Sequence, residues 1–251
     1  MSLLGRFIFY PETPHAGTPA TVGLTYEDAW FPAADGARLH GWWVPGPRAE
    51  TVLWFHGNAG NISHRLDNLR LLHDHVGASV LLFDYRGYGR SAGRPTERGL
   101  YEDASGALAH LRSRPGVAHS PIIYFGRSLG AAVATELAVR AHPSGLILET
   151  PFTSVQDMAA EILPAPLAAL LPPSFDTLTR IARVRCPVLV IHGDCDEVVP
   201  YAQGRRVFDA APEPKSLLTV AGAHHNDTYL VAGEPYFATL RRFIDEIEIP
   251  G

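Results

Sequence analysis

The sequence predicts an α/β fold built on a mostly parallel, doubly wound sheet of about eight strands. Three observations lead there. Short runs rich in Val, Ile, Leu and aromatics recur along the chain, they lack polar alternation, and segments of helical spacing separate them. Continuous apolar runs suit strands covered on both faces, and strand-helix alternation suits parallel strands joined by right-handed crossovers.

The elements follow in order. "YEDAWFPAADGARLHGWWVP" reads as two strands around the turn "ADG", an antiparallel hairpin at one sheet edge. "TVLWFH" (51–56), "SVLLFD" (79–84), "PIIYFG" (121–126), "GLILET" (145–150), "CPVLVIHG" (186–193) and "SLLTV" (216–220) read as buried strands. Helical spacing marks 62–75, where Leu66, Leu69, Leu72 and the following Val76 share a face. It marks 97–113 through Leu100, Ala104, Ala107, Leu108 and Leu111, and it continues at 129–141, 202–211 and 234–246. Only 155–185 breaks the rhythm, with two apolar helical stretches interrupted by prolines. Long connections of this kind serve as lids or binding loops, so 155–185 is a candidate short helical cap, carrying Leu163, Leu167, Leu170, Leu171 and Phe175. A helix packed on the sheet edge is the alternative.

Bulk properties narrow the function. The 251 residues are 46% hydrophobic and 19% charged, enough for one domain spanning 1–251 with a sizeable core. A net charge of -5 offers no footprint for nucleic acid. Two cysteines, Cys186 and Cys195, make neither a disulfide framework nor a four-ligand zinc pattern, and a reducing, cytoplasmic location is expected. The start "MSLLGRFIFYP" is too short and interrupted to span a bilayer, which leaves membrane association as the weaker alternative.

The chemistry centres on Gly126-Arg127-Ser128-Leu129-Gly130, a G-x-S-x-G motif after a predicted strand and before the alanine-rich helix "LGAAVATELAVRA". In that context the glycines permit a sharp turn that holds the serine hydroxyl out at the C-terminal edge of the sheet. A serine hydroxyl is a poor nucleophile near neutral pH. It needs an imidazole to take its proton and a carboxylate to orient that imidazole. Strand ends after Ser128 offer both, in the order acid then histidine: "HGDCDEVVP" holds Asp194, Asp196 and Glu197, and "AGAHHND" holds His224 and His225. Adjacent side chains point in different directions, so at most one of the two histidines serves the serine. Glu149, at the end of "GLILET", is a further strand-end carboxylate.

With "FHGNAGN", "DYRGYGRS", "GRSLG", "ETPFTS", "CPVLVIHGDCDEVVP" and "GAHHND", which together extend over 51–228, the chain resembles the α/β-hydrolase family. It looks most like the small serine hydrolases related to the α/β-hydrolase-domain depalmitoylases. The resemblance implies a serine hydrolase acting on carboxylic esters or thioesters through an acyl-enzyme. It places the acid on Asp196, the aspartate three after the glycine of "HGDCD", and the base on His225, immediately before Asn-Asp. His224 stands where the family usually has glycine. The oxyanion hole falls on the backbone N–H groups of Leu129 and Asn58, while His56, Asn58 and Asn61 brace their loop through their side chains. Leu163, Leu167, Leu170 and Phe175 become candidates for an acyl pocket.

The implied partner is a small-molecule or lipid-like acyl ester or thioester, with peripheral membrane contact as an option. No cofactor is expected. "DYRGYGRS" matches no phosphate-binding pattern, and His73 and His75, two apart on a helix, do not face each other, so no metal site is expected either. Serine at 128 argues against a haloalkane dehalogenase, which uses aspartate. A lipase, a peptidase and a non-catalytic binding module on the same fold remain as alternatives.

Overall fold

The computed structural model describes residues 8–118, 120–168, 170–171 and 174–247. Residues 1–7 of the apolar start lie outside the described residues. The chain divides into two compact units, Met1–Tyr124 and Phe125–Gly251, and the division falls inside one strand, β5 (Ile122–Arg127).

The first unit opens with the expected hairpin, β1 (Glu27–Pro32) and β2 (Arg38–Val44), paired antiparallel from Glu27 opposite Trp43 to Pro32 opposite Arg38. β2 pairs antiparallel with β4 (Ser79–Asp84), and β4 pairs parallel with β3 (Thr51–Phe55). Every residue of β3 and β4 is buried, as their unbroken apolar sequences require, whereas the outermost strand β1 alternates. Helix α1 (Leu66–Val76) buries Leu66, Leu69, Leu72 and Val76. It stops where Gly77, at φ 78°, returns its N–H to the His73 carbonyl. Helix α2 (Glu97–Ser113) starts at Thr96, whose hydroxyl accepts the Gly99 N–H. Thr96 thereby satisfies one of the first-turn donors, which a helix cannot pair internally.

The second unit continues from β5 through β6 (Gly145–Glu149), β7 (Val188–Gly193) and β8 (Lys215–Val220). β6, β7 and β8 are parallel neighbours. The strand order is β1-β2-β4-β3-β5-β6-β7-β8, an eight-stranded, mostly parallel sheet with an antiparallel N-terminal hairpin. Helices α3 (Leu129–Arg140), α7 (Tyr201–Ala210) and α9 (Glu234–Asp245) lie within a residue or so of their predicted bounds. The sequence reading erred on β8. Its run "SLLTV" reads as fully buried, yet only Val220 is buried, because β8 is the last strand and has a neighbour on one side only.

The proline-broken segment 155–185 forms three short helices, α4 (Val155–Ala160), α5 (Ala165–Ala168) and α6 (Thr177–Ile181), rather than two longer stretches. Ser154 and Asp176 cap α4 and α6 by accepting the N–H of Asp157 and of Thr179. Helix α8 (Thr228–Ala232) is one turn that periodicity could not reveal. No helix among the described residues is long and apolar enough to cross a membrane.

Candidate active site

Ser128 directly follows β5 and is the N-cap of α3, at φ 52° and ψ -117°. A non-glycine residue there carries backbone strain of roughly 1–3 kcal/mol, which the surrounding packing must hold. Gly126 shows why the turn needs small residues: a Cβ built on it would sit 2.4 Å from the Gly130 carbonyl oxygen and 2.7 Å from Ala131 Cα. The Ser128 N–H donates to the Glu149 carbonyl at 2.9 Å, tying the turn to the end of β6. Leu129 is the first residue of α3, so its N–H has no acceptor inside the helix.

The β7–β8 register sets Gly193 opposite Val220 and sends the two following loops out at the same edge. They interlock closely. A Cβ on Gly193 would meet the Ala223 carbonyl oxygen at 2.2 Å, and the Cys195 N–H donates to that carbonyl at 3.1 Å. Asp194 Oδ1 accepts the Gly222 N–H at 2.6 Å, so this carboxylate braces the loop pair.

The structure brings three of the predicted side chains together. His225 Nε2 lies 3.1 Å from Ser128 Oγ, and His225 Nδ1 lies 2.8 Å from Asp196 Oδ2. A carboxylate only accepts, so the second contact puts the proton on Nδ1 and leaves Nε2 as the acceptor facing the serine hydroxyl. Asp196 Oδ1 accepts the N–H groups of Val198 at 2.9 Å and Val199 at 2.8 Å. Burial pushes the Asp196 carboxyl up, but hydrogen bonds from His192 and His225, the charge of His225 and the Val199 N–H outweigh it. The net effect holds Asp196 well below the usual carboxylate range.

Sequence reasoning missed several supports. His192 Nε2 lies 3.2 Å from Asp196 Oδ2 and 2.9 Å from the Val199 carbonyl, so a second imidazole steadies the same carboxylate. Gly204 makes room for that ring, since a Cβ there would fall 2.0 Å from His192 Nδ1. Arg127 Nη2 donates to the His225 carbonyl at 2.8 Å and to Asn226 Oδ1 at 3.2 Å, while its Nε lies 3.5 Å from Glu149 Oε2. Glu149 is fully buried and also accepts from Thr228 Oγ1 and, at 3.2 Å, from the Tyr236 hydroxyl. Glu149 therefore serves as the counter-ion of Arg127, not as a partner of His225. The only sequence signal for this pairing was a carboxylate at the end of an apolar strand.

His224 points elsewhere. It is exposed, its Nδ1 is 2.9 Å from Glu197 Oε2, and its N–H donates to Asp227 Oδ1 at 2.7 Å. The positive φ in this loop belongs to Gly222, at 76°, so a side chain at 224 meets no left-handed backbone. Glu197 Oε2 also accepts the His225 N–H, at 3.3 Å.

In the first unit, His56 is buried with Nδ1 2.7 Å from the Gly57 carbonyl, and burial lowers its pKa to about 4. Asn58 accepts from the Tyr88 hydroxyl at 2.9 Å and donates to the Ile8 carbonyl. Asn61 accepts the Ser63 N–H and donates to the Glu12 and Pro14 carbonyls. These side chains fasten backbone. The four acyl-pocket candidates separate: Leu163, Leu167 and Leu170 are exposed, whereas Phe175 is buried.

A family model described as serine aminopeptidase, S33, in the Hydrolase_4 group, matches residues 46–179. An uncharacterized protein of Mycobacterium tuberculosis is 42% identical over 98% of this chain and 89% of its own length. The α/β-hydrolase domain-containing protein WAV2 of Arabidopsis thaliana is 37% identical over 96% of this chain and 87% of its own. Among solved structures, the Pyrococcus furiosus esterase Pf2001 superposes with a TM-score of 0.80 at 20% identity, covering 96% of this chain and 99% of that one. Its agreement is one of fold. With a matched family model over more than half its length and relatives above 30% identity along nearly all of it, the chain belongs to the α/β-hydrolase family.

Proposed function

We propose that the protein is a serine hydrolase that cleaves carboxylic esters or thioesters through an acyl-enzyme. The observation that carries this reading is the relay from Ser128 Oγ to His225 Nε2 at 3.1 Å and from His225 Nδ1 to Asp196 Oδ2 at 2.8 Å. His225 takes the Ser128 proton as Oγ attacks the carbonyl carbon. Asp196 stays ionised, fixes the tautomer and stabilises the imidazolium that forms. The developing oxyanion is held by the Leu129 N–H, at the positive end of α3, and, on the family resemblance alone, by the N–H of Asn58. His225 then protonates the leaving alcohol or thiol, and water, deprotonated by the same imidazole, releases the acid and restores Ser128.

Exposed Leu163, Leu167 and Leu170 offer apolar surface that an acyl chain would cover, and this favours acyl esters and thioesters as substrates. The description of the matched family model favours a second reading, a peptidase on the same three residues. Rates on p-nitrophenyl esters of increasing acyl length, their thioester counterparts, an aminoacyl p-nitroanilide and emulsified triglyceride separate the readings. Faster turnover with longer acyl chains supports the proposal. A preference for the anilide favours the peptidase, and a preference for triglyceride favours a lipase. If no serine-directed fluorophosphonate labels the folded protein, the chain is a binding module on this fold.

A further inference from the structure

Away from the residues assigned above, the first unit gathers two histidines and a carboxylate whose arrangement no sequence spacing announces. His15 lies in the N-terminal segment, outside any helix or strand. His40 lies in β2, and Asp84, which ends β4, is its partner in the antiparallel register. The His40 and Asp84 side chains are wholly buried and that of His15 nearly so. His15 Nε2 is 2.8 Å from Asp84 Oδ2, His40 Nδ1 is 3.8 Å from the same oxygen, and the three atoms all lie within 4.8 Å of one another.

The protonation of His40 follows from its other nitrogen. Nε2 is 2.6 Å from Asp28 Oδ1, a group that only accepts, so Nε2 carries a proton, and in the neutral ring Nδ1 holds the lone pair. Nδ1 is buried and has no hydrogen-bond partner among the described residues, because the nearest carboxylate oxygen, at 3.8 Å, is beyond hydrogen-bond reach and cannot donate to a lone pair. A buried acceptor left without a donor is costly and calls for an explanation. A carboxylate–imidazole pair with the second nitrogen bare and turned toward another histidine and another carboxylate is the usual environment of a metal-ligating histidine.

The remaining groups around the site are accounted for. Asp84 Oδ1 accepts the Ile62 N–H at 3.0 Å, and Oδ2 also faces the Arg90 N–H at 3.3 Å. The half-exposed Arg90 guanidinium donates to Asp28 from the outer side, at 3.3 Å, and lies at the same distance from His40 Nε2. Gly89, at φ 48°, keeps the space open, since a Cβ there would stand 1.9 Å from Asp84 Oδ2 and 2.5 Å from His15 Nε2.

We propose that His15 Nε2, His40 Nδ1 and Asp84 Oδ2 form a structural binding site for a zinc-type divalent cation, with Asp28 as the carboxylate that orients His40. Two imidazoles and one carboxylate are a donor set that zinc accepts at about 2.0–2.2 Å, which separates tetrahedral ligand atoms by about 3.3 Å. The observed 2.8 and 3.8 Å bracket that separation, and His15, on a segment free of regular structure, closes the remaining gap. Water completes the coordination. To bind the ion, His15 offers its Nε2 lone pair: the ring proton moves from Nε2 to Nδ1 through solvent, and the Nε2–Asp84 hydrogen bond gives way to bonds from both groups to the ion. The ion would clip the N-terminal segment to β2 and β4.

The test is zinc binding by the full chain after chelator treatment, followed by calorimetric titration with zinc and by thermal melting. The expected result is one high-affinity site per chain and a higher melting temperature with zinc. His15→Ala, a loop substitution verified as folded by circular dichroism, should lose the site. Asp28→Asn should weaken it by about 10- to 100-fold. His225→Ala and Ser128→Ala should bind zinc as the parent does, which separates this site from the proposed hydrolase chemistry. Absence of stoichiometric zinc binding by the parent chain, or unchanged binding by folded His15→Ala, overturns the proposal.

Discussion

Replacing Arg127 with Met removes the cation that ties the Ser128 turn to the loop holding His225. Arg127 is 6% exposed and its partner Glu149 is fully buried, so the substitution leaves a buried carboxylate with only the Thr228 and Tyr236 hydroxyls. Breaking a buried ion pair by removing one partner costs about 3–5 kcal/mol. The variant also loses the hydrogen bonds from the guanidinium to the His225 carbonyl and Asn226. For a chain of this size 1 kcal/mol corresponds to roughly 2–4 °C, so Arg127→Met should lower the melting temperature by roughly 6–20 °C. A double variant that also replaces Glu149 with Met should regain part of that loss, because the uncompensated charge disappears with it. Calorimetric or circular-dichroism melts of the parent, both singles and the double give the coupling directly. If Arg127→Met melts within 2 °C of the parent, or if the double is as unstable as the sum of the singles, the buried pair does not hold the loop.

Asp196→Asn keeps the shape of the acid but lets the wrong tautomer of His225 form, and kcat should fall about 10⁴-fold with little change in KM; a fall under tenfold would mean that Asp196 does not orient the base. His225→Ala should abolish ester turnover, whereas His224→Gly, which removes only an exposed contact with Glu197, should keep it within a few-fold of the parent; the reverse ranking would move the base to His224. His56 supplies a pH dependence. Its pKa drops from an ordinary 6.5 to about 4 through burial, so protons bind the unfolded chain more readily than the folded one between those values. Stability from this group is complete above pH 6.5 and is lost as pH falls toward 4, by about 3 kcal/mol. Denaturant titrations across that range should show a shallower decline for a folded His56→Phe variant, and an equal decline would remove His56 as the cause.

Much of the fold was legible because burial on both faces writes itself into composition. β3, β4 and β7 are wholly buried and read as unbroken apolar runs, and α1 shows its core face as Leu66, Leu69, Leu72 and Val76. The exposure of β8 was not legible, because being last in the sheet is a property of neighbours and not of the strand. Ser128 could be named from its strand-turn-helix motif, and the strand ends narrowed the acid to Asp194, Asp196 or Glu197 and the base to His224 or His225; the choice of Asp196 and His225 came from the family resemblance. The groups that steady them could not, because His192 reaches Asp196 across a loop and Arg127 reaches the far loop of β8 and a carboxylate on β6. The exposure of Leu163, Leu167 and Leu170 beside the burial of Phe175 was equally hidden, since short proline-separated helices carry no lasting periodicity. His15, His40 and Asp84 come from three separate segments, and their convergence depends on the register of β2 with β4.

The central claim is that Ser128 carries the acyl group during turnover. Intact-protein mass spectrometry on a quenched reaction with p-nitrophenyl acetate, followed by peptide mapping, tests it directly. One acetyl group per chain is expected on the peptide holding Ser128, appearing within the first turnover and absent from Ser128→Ala and His225→Ala. Steady hydrolysis by folded Ser128→Ala, or acetyl groups mapped only to the exposed Cys195, would contradict the account.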